Sequence, residues 1–284
     1  MSWFSFLMPP LFAGLVAIAV TMAIERWGGR LGGVIGTLPT TIVPAAIGIY
    51  GQSPNVGAFR DSMFMTPVGI FINVGFLLFW RLIPPFLPDW SIRKRLLVMI
   101  FVSLGLWFVV ALTTILGVGW VRSRVDSLEV LGVASTVVIL MCGVLACVKS
   151  PPAPRGTRKV GVWALLARGA LAMAAIGGAI SLASSGGAIA AGIASVFPAI
   201  FITTMVSLWW SQGEAVQVGA VGPMMLGATS VAAFAVLSAW AFPFLGVFLG
   251  VVFSWVASAV LITIPSVLWL RRMTARELLD KEKR

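Results

Sequence analysis

Histidine is absent from this 284-residue chain, cysteine occurs twice, tyrosine once, and charged residues make up only 10%. Without histidine, the chain lacks the commonest transition-metal ligand and the usual general base near neutral pH. Cys142 and Cys147 lie five apart in one apolar run, so a helix turns them about 140° from each other; they form no CxxC pair and read as small core residues. No nucleophile and base set, nucleotide loop or metal cluster stands out, and the expectation is a protein that is not an enzyme and carries no cofactor or metal. Acidic residues number nine, and none falls at the centre of an apolar run, which argues against a deep carboxylate proton site.

What is abundant is apolar: 60% of the residues are hydrophobic and the mean hydropathy is +1.04. A bilayer is the natural solvent for such a chain, and the expected fold class is an all-α, polytopic transmembrane helical bundle. Nine apolar runs can be marked, at 3–24, 31–50, 62–80, 96–117, 128–148, 162–183, 188–210, 215–239 and 242–270. No basic segment precedes the first run and no small-residue cleavage site follows it, so it reads as a retained span. The last run is too long for one straight crossing and too short for two; Pro243 and Pro265 mark expected bends near its ends.

Twenty Lys and Arg give a formal net charge of +11. Sixteen fall in the segments that nine spans would place on one side, against Arg60, Arg122 and Arg124 on the other, with Arg168 inside a span. This bias predicts a multi-pass inner (cytoplasmic) membrane protein with its N-terminus outside and its C-terminus inside. It explains the positive charge without nucleic acid. The basic, proline-rich segment 149–161 divides the chain into halves.

The halves share a pattern. Gly33-Val34-Ile35-Gly36-Thr37-Leu38-Pro39-Thr40-Thr41 precedes Tyr50-Gly51-Gln52-Ser53, and Gly192-Ile193-Ala194-Ser195-Val196-Phe197-Pro198 precedes Thr203-Thr204 and Trp210-Ser211-Gln212-Gly213. Each copy is a glycine, five residues, a proline, a threonine pair and a glutamine-containing turn. Met63, Met65 and Pro67 likewise resemble Pro223, Met224 and Met225, with slipped spacing. The expected organisation is a first repeat over 1–127, a connecting span and linker over 128–161, a second repeat over 162–270 and a basic tail over 271–284. With one odd span between four and four, the second copy enters the membrane from the opposite side, an inverted-topology duplication with broken helices 2 and 7.

Through the Gly-x(5)-Pro helix and the polar turn after it, the chain resembles the GlpM-like small bacterial membrane proteins. The resemblance covers 168–239 best, with Arg168 matching a basic residue of the family's first helix, and 33–80 more faintly. It implies a repeat unit of about four spans. Fusion of two such units is a departure from the family's pattern, and no substrate follows from it.

Candidate site residues are the polar groups at mid-depth. Thr37, Pro39, Thr40 and Thr41 in span 2, and Pro198, Thr203, Thr204 and Ser207 in span 7, would expose half-helix ends and hydroxyls to a solute, or else form proline kinks satisfied by threonine. Asn73 has up to four hydrogen-bonding sites and must face protein or water; packing and substrate contact are both open. Asp61 and Glu214, at the starts of spans 3 and 8, suit either helix capping or gating, with Gln52 and Gln212 in the turns beside them. Arg168 could snorkel to the surface or bind an anionic group. The methionines could ligate Cu(I) but read as flexible packing.

The function expected is membrane transport, by a secondary transporter or exporter of a small solute using alternating access. A lipid or lipid-linked headgroup flippase and a non-transporting membrane scaffold are the alternatives. The expected partners are the lipid bilayer and a small-molecule solute or lipid headgroup, with no nucleic acid; a homo-oligomer is compatible with the sequence.

Overall fold

Apolar runs shielded from water must satisfy their own backbone groups, and this chain does so with helices; no strand occurs among the described residues. The structure, a computed structural model, describes residues 3–27, 38–122, 124, 127–148 and 161–282. Its helices in order are α1 (Trp3–Trp27), α2 (Ile42–Gln52), α3 (Val56–Leu82), α4 (Ile92–Arg122), α5 (Glu129–Val148), α6 (Val162–Ser184), α7 (Ala188–Ala194), α8 (Ala199–Gln212), α9 (Glu214–Ser258) and α10 (Ile264–Glu282). A 3₁₀ turn spans Pro84–Phe86 and a π-helical turn Ala259–Thr263. Six stretches among the described residues are long and apolar enough to cross a membrane: α3, α4, α5, α6, Ala188–Trp210 and Val216–Met273. Leu7–Ala19 and Ile42–Gln52 are apolar but shorter. Large side chains such as Phe101, Leu116, Val130 and Phe248 stand outward and exposed, as hydrocarbon-facing residues do.

One boundary differs from the hydropathy reading. The expected gap at 240–241 is helical, and α9 continues through Pro243 to Gly246, where φ is 75° and ψ is 170°. Only glycine adopts that backbone without strain. A Cβ on Gly250 would lie 3.0 Å from the Cα of Phe242, whereas eight residues of unbroken helix separate their ends by about 12 Å. The chain therefore doubles back at Gly246. The seven residues 240–246 then belong to the preceding arm and its turn, which removes the excess length of the last run. Pro265 follows the π-turn, whose wider backbone relieves the clash its ring would make with the carbonyl four residues earlier.

α3 is the central element. Its apolar window is 78% buried, against 28% for those of α4 and α5, and it packs on α9, α7, α5 and α4. Asn55 caps its start, its side-chain oxygen accepting from Ala58 N at 2.8 Å. Glycines let the neighbours approach backbone to backbone: Gly132 of α5 lies on Phe64, Gly143 on Leu226, Gly222 on Ala146 and Gly192 on Ser62.

These contacts fix directions. The first half of α5 meets the start of α3 and its second half meets the start of α9, so α3 and α9 begin at opposite ends of the bundle. α4 repeats the statement with charges. Arg122, at its end, pairs with Asp61 near the start of α3 at 2.9 Å, while Arg95, at its beginning, pairs with Glu214 at the start of α9 at 3.1 Å.

Candidate functional site: the α7–α8 junction

Pro198 has no N–H to continue a helix, and its ring would press on the carbonyl four residues back. α7 accordingly stops at Ala194, and tight turns carry the chain to α8: Val196 N donates to Ile193 O at 3.3 Å and Phe197 N to Ala194 O at 3.0 Å. Carbonyls released by such a junction need partners, and α3 supplies them. Asn73 Nδ2 donates to Val196 O at 2.7 Å, and Asn73 Oδ1 accepts from Trp107 Nε1 of α4, also at 2.7 Å. Both ends of the buried amide thus join α3, α4 and the junction, and Trp107 packs edge-on against Phe197 with ring centroids 5.3 Å apart. Beside it, Ser195 Oγ donates to Gly192 O at 2.7 Å. Thr66 Oγ1 lies 3.1 Å from Ser62 O and 3.4 Å from both Gly192 O and Ser195 Oγ.

One turn into α8, the threonine pair receives Arg168. The guanidinium Nε donates to Thr203 Oγ1 at 2.9 Å and Nη2 to Thr204 Oγ1 at 2.8 Å, and the arginine is only 4% exposed. Thr203 Oγ1 in turn donates to Ala199 O at 2.7 Å, so the cation polarises a hydroxyl that also satisfies a carbonyl at the start of α8. Snorkelling does not describe this side chain. It is turned into the protein, seven residues into α6, where it holds α6 to α8.

The other expected site residues are placed as follows. Thr37 lies outside the described residues, as does the side chain of Gln212. Pro39 is buried in the turn before α2, Thr40 Oγ1 is 3.5 Å from Leu38 O, and Thr41 is half-buried at the start of α2 without a side-chain capping bond. Pro44 sits in the first turn of α2, where a missing N–H costs nothing. Gln52 is buried and Ser207 half-buried. No hydrogen bond among the described residues joins Thr40 or Thr41 to Thr203 or Thr204. The main neighbours of α2 are α1 and α6.

Asp61 and Glu214 make ion pairs, and so hold α4 at both its ends. Asp61 and Arg122 are 17% and 35% exposed in their side chains, a setting in which such pairs contribute about 1 kcal/mol or less. Asp61→Asn is therefore expected to leave the melting temperature of the purified protein nearly unchanged; a loss of more than about 2 kcal/mol in denaturant unfolding would show the pair to be structural.

Sequence reasoning passed over Thr66, Trp107 and Gln217. Thr66 had a readable signal, since a hydroxyl beside Pro67 and four residues after Ser62 lies on a helix already weakened in its hydrogen bonding. The chain matches no family model, no curated protein and no solved structure.

Proposed function

We propose that this chain is a transport protein of the cytoplasmic membrane that moves a small solute by alternating access between two inverted halves. In this reading it spans the membrane nine times, the four-span unit resembling GlpM-like proteins occurs twice, and spans 2 and 7 are the broken helices. The α7–α8 junction with Asn73, Arg168, Thr203 and Thr204 is the polar lining of the route.

The observation that carries the reading is the likeness of the two ends. At one end Tyr50 from the close of α2, Phe59 from the start of α3 and Phe242 from the end of the first arm of α9, before the turn at Gly246, form one aromatic cluster, with centroids 4.8 to 5.6 Å apart. At the other, Trp209 from the close of α8, Gln217 from the start of α9 and Trp80 from the close of α3 come together, the two rings 5.9 Å apart and Gln217 Nε2 donating to Trp80 O at 3.1 Å. Under exchange of the repeats these are corresponding element ends, with offsets of 159 residues for Tyr50 and Trp209, 158 for Phe59 and Gln217 and 162 for Trp80 and Phe242. Each closes one end of the bundle, and each stands at the end where an ion pair ties α4 to α3 or α9. Two equivalent closures on opposite sides of a polar junction are what alternating access requires.

The test begins with solutes that raise the melting temperature of the detergent-purified protein, carried into proteoliposome flux assays. Thr40→Val combined with Thr203→Val is expected to lower flux about tenfold, since two neutral hydrogen bonds at 0.5–1.5 kcal/mol each give that order. Unchanged flux would reject those hydroxyls as the site. Scrambling of a fluorescent phospholipid without solute flux would favour the flippase, and neither activity the scaffold.

A further inference from the structure

The two end clusters differ in kind at one place, where an aromatic ring is exchanged for an amide, and the difference has chemical content. Where Phe59 sits in an all-aromatic contact, Gln217 brings an amide. Its side chain is fully buried, and Nε2 is used twice, toward Trp80 O at 3.1 Å and Met205 Sδ at 3.1 Å. Its Oε1 has no hydrogen-bond partner among the described residues. A second orphan borders the same aromatic pair. Arg95 gives Nη2 to Pro84 O and to Glu214, its guanidinium carbon lies 5.5 Å over the Trp209 ring, and its Nε is buried without a partner. Glu214 is one helical turn before Gln217, so both orphans belong to a single corner between α3, α4, α8 and the start of α9.

A buried acceptor left unmatched costs enough that native proteins rarely keep one. An acceptor and a donor left beside one tryptophan pair specify a ligand: a group carrying an N–H for Gln217 Oε1 and an oxygen for Arg95 Nε. We propose that Gln217, Arg95, Trp80 and Trp209 form a binding site for a small neutral solute of the carboxamide or urea class. The amide supplies donor and acceptor on one planar group, matching the two orphans beside the edge-to-face Trp80–Trp209 pair. A carboxylate of the same shape offers no donor to Gln217 and meets Glu214 nearby. This deepens the transport reading, on which it rests, by naming the chemistry received at the Arg95 end.

The probes are acetamide, urea and acetate, followed by saturation-transfer NMR on the full-length protein in detergent, a method suited to the weak binding of ligands with so few atoms. Acetamide and urea are expected to give saturable signals and acetate none. Gln217→Met keeps the length of the side chain and removes the amide, Oε1 together with the Nε2 that donates to Trp80 O; it is expected to cut the acetamide signal at least fivefold, while Gly178→Ala, at an exposed helix position with open space around it, leaves it intact. Absence of an acetamide signal from the wild-type protein, equal signals from acetamide and acetate, or an undiminished signal from a well-folded Gln217→Met would each overturn the site. The wild-type comparison decides even if the variant fails to fold. Acetamide binding that depends on Gln217, with no acetamide flux in proteoliposomes, upholds the site and counts against the transport reading.

Discussion

Gly192→Val is expected to prevent the protein from reaching a monodisperse folded state in detergent. A Cβ at this position would overlap the carbonyl oxygen of Ser62 and stand 2.7 Å from Met65 Cβ. Neither neighbour is the far end of a flexible side chain. The carbonyl belongs to α3, the most enclosed helix of the bundle, so relief requires α7 to move away bodily. That movement would separate Asn73 from Val196 and Thr66 from Gly192, adding lost hydrogen bonds to the steric term. Overpacking alone costs about 1–3 kcal/mol, and the two penalties together exceed it. Gly178→Ala is the matched control. Nothing lies within 4 Å of the Cβ it would add, and a helix gains up to about 1 kcal/mol from the exchange. Size-exclusion profiles and melting temperatures of the two variants check the contrast; a folded Gly192→Val with the melting temperature of the wild type would mean that α7 does not lie on α3 as described.

That glycine was visible in the sequence as the first residue of a Gly-x(5)-Pro pattern, and the proline ending the pattern marks where α8 begins. Helix content was legible because apolar runs dictate it, and the need of Asn73 for a protein partner followed from the cost of an unmet amide. The identity of that partner did not. Val196 O is 123 residues away from Asn73 and Trp107 is 34, and no local pattern encodes which carbonyl a distant kink will release. The turn at Gly246 was misplaced for a different reason. From Ala241 to Phe253 no polar residue interrupts the chain, so hydropathy carries no information there and only backbone conformation locates the reversal. Arg168 was ambiguous because an arginine near a span end has two outcomes, and its choice depends on hydroxyls of another helix. Arg95 was counted among the basic residues of a loop, although it pairs with Glu214, and Gln217 was overlooked one turn beyond that glutamate.

Asn73→Leu is the second substitution with a large expected effect, and it isolates the junction from the rest of the fold. Leucine fills a similar volume, so the main loss is polar: Val196 C=O and the Trp107 indole N–H are left without the partner each now has. Orphaning a buried group costs about 1–3 kcal/mol, and hydrogen bonds between membrane helices measure from about 0.6 to 2, so the two together should remove about 1–4 kcal/mol. Trp107→Phe orphans Asn73 Oδ1 in its turn. A double-mutant cycle therefore separates packing from pairing: Asn73→Leu with Trp107→Phe should fall short of the sum of the single losses by about 1 kcal/mol. Strict additivity in denaturant unfolding would deny the Asn73–Trp107 bond. If the bond is made, α4 and the junction are mechanically joined through one side chain of α3, and α4 also carries the arginines of both end ion pairs. Under the proposed transport function, opening at either end would act on the junction through Trp107, and Asn73→Leu should lower solute flux in any fraction that folds, whereas Asp61→Asn, which touches one end only, should lower it less.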